Sequence, residues 1–258
     1  MKRKILLTFL IFPFLFSGCS GLQQVATQAG TQILTGAASG VGNTENAAGL
    51  KDALSVGIAN AVTALSKENG YYSNPALRIL LPKEAQPILD NIKLIPGGQN
   101  LVNDVELRLN RAAEDAAKEA TPIFLTAIKS MTIADAANIL FGNSDAATQY
   151  LKKTTYSQLT SAFAPKINTS LDKKLVGNIS TNQSWSTLTS TYDSVANSLV
   201  GKTAKLTPVN TDLGSYVTGK ALDGLFSNLA GEELKIRQNP AARVNDLLKK
   251  VFGQLDKK

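Results

Sequence analysis

The sequence predicts an all-α fold: a single multi-helix domain of about ten helices, placed behind an N-terminal leader and a flexible tether. Three observations predict it. After residue 46, apolar side chains recur at steps of three and four over most of the chain. Helix punctuation is frequent, with Thr132, Asp212 and Asn239 placed before apolar runs and Gly70, Gly142 and Gly177 after them. Only Ala76 to Leu81 has room for a short strand, and a buried extended loop suits it better. No repeat of fixed period is present.

Residues 1–18 have the layout of a signal peptide. Lys2, Arg3 and Lys4 form a positive start, and the apolar run from Ile5 to Phe16 falls short of the roughly 20 residues that span a bilayer. Phe16-Ser17-Gly18-Cys19 resembles the bacterial lipobox, with Phe where Leu is usual. The expectation is cleavage before Cys19 and acylation there by more than one chain, enough for stable anchoring to a membrane. Ser20 rather than Asp after the Cys favours outer-membrane sorting, by analogy with enterobacteria. The expected location is therefore the bacterial cell envelope, facing the periplasm. Residues 19–46, rich in Gly, Ala, Ser, Thr and Gln, read as the lipidated N-terminus and tether. Within it, Leu22, Val25, Ala29 and Ile33 allow one weakly amphipathic helix.

The helical domain is expected over residues 47–258. Leu50, Leu54, Ile58, Ala61 and Leu65 mark its first helix. Tyr71 to Pro82 is a break, because two prolines favour extended backbone before them. Lys83 to Leu94 is a short helix disturbed by Pro87, followed by a Pro96-Gly97-Gly98 turn. Asn103 to Ala120 carries the longest helical signal and is expected at the centre. Val102, Val105, Leu109, Ala112, Ala116 and Ala120 form its stripe, and the alanines allow close approach of a neighbour.

Thr121-Pro122 suits a new start, and Thr132 with Asp135 forms a capping box for the helix that stops at Gly142. Asn143 or Ser144 can cap the next, whose face is Ala147, Leu151, Leu159 and Phe163 and whose end is set by Pro165. Ile167, Leu171 and Leu175 predict a further short helix ending at Gly177. Trp185, Leu188, Tyr192, Val195 and Leu199 predict one continuous amphipathic helix with Trp185 as a core anchor. Asp212 opens a helix through Leu229, Glu232 to Gln238 forms another, and Asn239-Pro240 starts the last, which buries Val244, Leu247, Leu248, Val251 and Phe252.

Several of these stretches together resemble a family of bacterial lipoproteins, domain of unknown function 4197. They are Gly49 to Leu54, Leu65 to Pro82, Asp104 to Glu114, Pro122 to Tyr150 and Asp212 to Gly253. Asn110-Arg111-Ala-Ala-Glu114 and Ile236-Arg237-Gln-Asn239-Pro240 are the most specific. The resemblance implies a lipidated, helical, envelope-facing protein. It implies no activity, cofactor or catalytic residue.

Composition narrows the chemistry. The formal charge of +7 arises from 27 basic and 20 acidic side chains. Loss of the leader removes Lys2, Arg3 and Lys4, leaving 24 against 20, or +4. That is too weak an excess to argue for nucleic acid, and it suits an anionic envelope surface. The chain has no His and a single Cys. Histidine general bases, His-ligated zinc and an intramolecular disulfide are excluded. Gly214 to Lys220 has P-loop spacing, but Ala221 replaces the Mg²⁺-binding hydroxyl and no strand precedes it. Ser170 to Lys173 matches S-x-x-K without the sheet that motif needs.

What remains is a polar flank. Glu106, Asn110 and Glu114 step by four beside Arg111, and Arg237 sits next to apolar positions near the C-terminus. Arg111 can pair with Asp115, and Glu114 with Lys118. The first expectation is a non-enzymatic binding or structural module, taking an envelope protein or an apolar or lipid ligand, with no cofactor. It calls for a lipid-sized cavity or an exposed apolar patch. The alternative is a His-free hydrolase or lyase using Glu106 and Glu114 with Arg111, which calls for an open cleft where those side chains converge.

Overall fold

Ten α-helices and no strand make up the described residues, which in this computed structural model are 44–209, 211–243 and 246–257. The leader, Cys19, the tether up to residue 43 and Val244 lie outside them. The helices are α1 (44–65), α2 (Gln86–Asp90), α3 (Gly98–Ala117), α4 (Ala120–Ser130), α5 (Ile133–Leu140), α6 (Ala146–Asp172), α7 (Thr181–Ala196), α8 (Leu199–Thr203), α9 (Leu213–Gln238) and α10 (Asp246–Phe252). Helix α1 is already formed at residue 44, within the stretch read as tether.

Helix α3 is central, packed against α6, α7 and α9. Val105, Leu109 and Ala112 of the predicted stripe have no exposed surface, and neither do Ala113 and Ala117 outside it. The small side chains let α6 and α9 approach it closely. Among the described residues no single helix is long and apolar enough to cross a membrane.

Several boundaries differ from the sequence prediction, most of them because burial outweighs a local signal. Pro165 does not end its helix: α6 runs through it for 27 residues. An interior proline costs about 3 kcal/mol. Leu159, Phe163, Ile167 and Leu171 on the same face are all at most 1 % exposed, and each contributes about 1.5–3 kcal/mol by burial. Burial wins. The same balance carries α9 unbroken across Gly231, where Leu229, Glu233 and Ile236 stay buried.

Conversely, the stripe from Trp185 to Leu199 is not one helix. Helix α7 ends at Ala196, and Ser198 caps a separate α8 by accepting from the Gly201 N–H. Trp185 is only partly buried, and Leu199 is 84 % exposed. Lys83 to Leu94 divides into two 3-10 turns around α2, with Pro87 accommodated in its first turn. Ala76 to Leu81 is the extended loop, not a strand.

The last α-helix also starts later than the Asn239-Pro240 signal suggests. Asn239 caps a 3-10 turn, Pro240–Ala242, and α10 follows at Asp246. Leu248, Val251 and Phe252 are buried as expected, with Leu247 partly so.

Candidate functional site

The polar flank of α3 faces the loop of residues 68–82, and each of its four side chains is engaged there. Asn110, fully buried, accepts from the Ile79 N–H through Oδ1 and donates to the Ile79 carbonyl through Nδ2, both at 2.8 Å. One amide thus satisfies both main-chain groups of a buried extended residue, as a neighbouring strand would. One turn on, Glu114 Oε1 accepts from the Tyr71 and Tyr72 N–H groups at 3.1 and 3.2 Å. Its other oxygen takes Arg111 Nη1 at 2.7 Å. Arg111 also reaches Glu68 and Asn69, each at 3.0 Å. Glu106 pairs with Arg78 at 3.1 Å, and the Arg78 guanidinium lies over the Tyr72 ring, 4.2 Å from its centroid.

The structure therefore brings Glu106, Asn110, Arg111 and Glu114 together on one flank, as their spacing suggests. The local pairs differ from those expected. Arg111 pairs with Glu114 rather than Asp115, and Lys118 with Asp115 rather than Glu114. Beneath the loop, Tyr71 is fully buried and donates to the Ala221 carbonyl at 2.8 Å. Burial, reinforced by the Glu114 carboxylate, holds its phenol well above the usual range.

The other sides of α3 carry polar contacts that sequence reasoning missed. Asp104 accepts from Arg108 and from Ser184 of α7, and Arg108 donates to the carbonyls of Val176 and Ile179. Asp115 accepts from Ser170 at the end of α6 and from Lys173 and Lys118. Burial opposes ionisation of Asp115, but those three donors outweigh it and hold the carboxyl well below its ordinary range. Asp104 is lowered in the same way, its burial outweighed by Arg108 and Ser184.

Arg237 belongs to a different network, at the junction of α5 and α6. Glu233 accepts from the Ala147 and Thr148 N–H groups at 2.9 and 2.8 Å, capping α6 from a distant helix where neither Asn143 nor Ser144 does. Arg237 pairs with Glu233 at 2.9 Å and donates to the last carbonyls of α5, those of Ile139 and Leu140. Arg243, almost fully buried, closes the end of α9 by donating to the carbonyls of Ile236 and Arg237. Beside this network a narrow pocket of about 20 Å³ is lined by Leu50, Leu54 and Phe252 among others. It has room for one water and none for an acyl chain.

The space large enough for a ligand lies elsewhere. A groove of about 550 Å³ runs between residues 76–84 and α9. Leu80, Lys83 and Glu84 form one wall, and Tyr216, Lys220 and Asp223 the other. Tyr216 bridges them, donating to the Leu80 carbonyl at 2.9 Å. Burial, then the carboxylates of Glu84 and Glu106, raise the Tyr216 phenol above its usual range. No hydrogen bond or ion pair engages the exposed side chains of Lys83, Glu84, Lys220 and Asp223 among the described residues. The groove thus offers two cations, two carboxylates and an apolar stretch to a molecule of mixed character. Of Lys220 and Asp223, the sequence marks only Lys220, as the lysine of a rejected P-loop spacing. Their convergence with Lys83 depends on how the 68–82 loop docks, which spacing within α9 does not reveal. No group of three or more acidic or Cys side chains is arranged to hold a metal ion among the described residues.

No curated protein and no solved structure matches the chain. One family does, described as protein of unknown function (DUF4197), over residues 40–253. That span holds α1 to α10, the α3 flank, the Glu233–Arg237 network and the groove. The chain belongs to the DUF4197 family.

Proposed function

We propose that the protein is a cell-envelope lipoprotein, held at the outer membrane through acylated Cys19, whose helical domain is a non-enzymatic binding or structural module. The observation that carries the non-enzymatic part is the engagement of Glu106, Asn110, Arg111 and Glu114 with the 68–82 loop. A carboxylate-dependent hydrolase or lyase needs those groups facing a cleft with protons to exchange. Here Glu106 is held by Arg78, and Glu114 by two main-chain N–H groups and Arg111. No observation favours the enzymatic reading.

The groove between residues 76–84 and α9 supports a binding role, with an envelope protein or an amphiphilic ligand as its occupant. An acyl chain has no place in the 20 Å³ interior pocket, so an apolar ligand binds at the surface. The test is mass spectrometry of what stays with the full chain during gentle extraction from native membranes, against a Tyr216→Ala/Lys220→Glu variant. A lipid or protein retained by the wild type and lost from the variant is the expected result. An identical set in both would remove the groove from the account.

A further inference from the structure

The polar groove does not use the most exposed apolar surface among the described residues, which lies at the turn between α7 and α8. Leu199 and Val200 are 84 % and 67 % exposed there, and Leu94 beside them is 49 % exposed. Leu94, Pro96, Val195, Ser198 and Val200 share one shallow groove, so the apolar residues of the two segments are contiguous. A leucine and a valine side by side at this exposure leave most of their apolar surface in water, which isolated surface residues rarely do as a cluster.

The projection is built in. Ser198 Oγ donates to the Val195 carbonyl and accepts from the Gly201 N–H, fixing the start of α8. Gly201 is packed so tightly that an added Cβ would lie 2.2 Å from the Val195 carbonyl oxygen. Lys205 then ends the turn in the left-handed region at φ 56°. The Leu199–Val200 pair is held outward by a rigid frame, where a mobile loop could fold it back.

Charge says what covers it. Residues 91–101 and 194–211 contain no Asp or Glu, with Asp90, Asp193 and Asp212 at their borders, while Lys93, Lys202 and Lys205 lie among them. All three lysines are exposed, and none forms an ion pair among the described residues. An exposed apolar wedge with three unpaired lysines in the same two segments matches the interface of an anionic bilayer, with apolar tips below the headgroups and ammonium groups among the phosphates. We infer that the α7–α8 tip, with Leu94, Leu199 and Val200 as the wedge and Lys93, Lys202 and Lys205 as the collar, inserts into an anionic lipid surface. This goes beyond the lipid anchor proposed above: it is a second contact, made by the folded domain itself.

The test uses the full chain reconstituted in vesicles of phosphatidylethanolamine and phosphatidylglycerol. A Leu199→Cys variant carries a polarity-sensitive dye, and a Leu234→Cys variant labels an exposed leucine outside the tip. The expected result is a blue-shifted emission at position 199 and a loss of about half of it to quenchers on the acyl chains, with little of either at 234. In phosphatidylcholine vesicles, or with Lys93→Gln/Lys202→Gln/Lys205→Gln, quenching at 199 falls severalfold. A dye at 199 that remains in water on anionic vesicles overturns the inference. So does a dye that is shielded only when other envelope proteins are added, since that marks a protein contact. Quenching unaffected by lipid charge and by the lysine substitutions overturns the role of the collar. Intact mass of the labelled chain reports separately whether Cys19 is acylated or has itself taken dye, so failure of the anchor is distinguishable from failure of the tip.

Discussion

Asn110 holds Ile79 by both of its main-chain groups, with Oδ1 and Nδ2 each 2.8 Å from their partners and no side-chain surface exposed. This one amide fixes the register of the 68–82 loop on α3. The loop in turn forms a wall of the groove. A buried side chain on the central helix therefore shapes the candidate binding face without touching it.

Asn110→Ala leaves the N–H and C=O of Ile79 buried without partners, which should lower stability by about 3 kcal/mol. Urea unfolding reads this as a lower midpoint. A change below about 0.5 kcal/mol would show that water replaces the amide and that the loop does not depend on it.

Two glycines of α9 should respond with opposite sign. A Cβ at Gly224 would lie 2.6 Å from Tyr71 Cε1, and Tyr71 is fully buried with its hydroxyl held by Ala221. Gly224→Ala should destabilise by about 1–3 kcal/mol through overpacking. Nothing lies within 4 Å of a Cβ at Gly219, so Gly219→Ala should stabilise by about 0.5–1 kcal/mol through helix propensity. Thermal melting of the two variants checks the pair, and equal shifts would contradict the packing described.

The pH profile should be flat across neutrality, because the chain has no His. Asp104 and Asp115 have folded pKa values below their ordinary ones. Their contribution is complete above the unfolded value near 3.9 and is lost as pH falls below it toward the depressed folded values. Tyr71 has a raised folded pKa. Its contribution is complete below about pH 10 and is lost as pH rises beyond. Stability measured at intervals should show a plateau from about pH 5 to pH 9 with both limbs outside it. Asp115→Asn should weaken the acid limb. A transition near pH 6.5 would contradict the assignment.

What the sequence conveyed depended on how local the deciding force was. The Thr132–Asp135 capping box and the Val105, Leu109, Ala112 stripe are fixed within one or two turns of helix, and both are present. The sequence predicts helix ends at Pro165 and between Leu229 and Glu232, because a local penalty is visible there and the burial that outweighs it is not. The true cap of α6 is Glu233, 86 positions from Ala147, a relation no local pattern contains. Ser198 shows the opposite failure: the apolar stripe continues to Leu199, but a local cap starts a new helix and turns that leucine outward. For the candidate site, the spacing placed Glu106, Asn110, Arg111 and Glu114 on one flank. Their partners Arg78, Glu68 and the main chain of Tyr71, Tyr72 and Ile79 come from the loop, and so does their structural use.

The proposed lipoprotein is a helical module tied to the envelope by acylated Cys19. Intact mass of the chain purified from membranes, compared with that of a Cys19→Ala variant, tests it most directly. The expected result is a wild-type chain that begins at Cys19 and carries acyl mass, and a variant that keeps residues 1–18 and carries none. A wild-type chain without acyl mass, or a variant processed and retained in the membrane like the wild type, would contradict it.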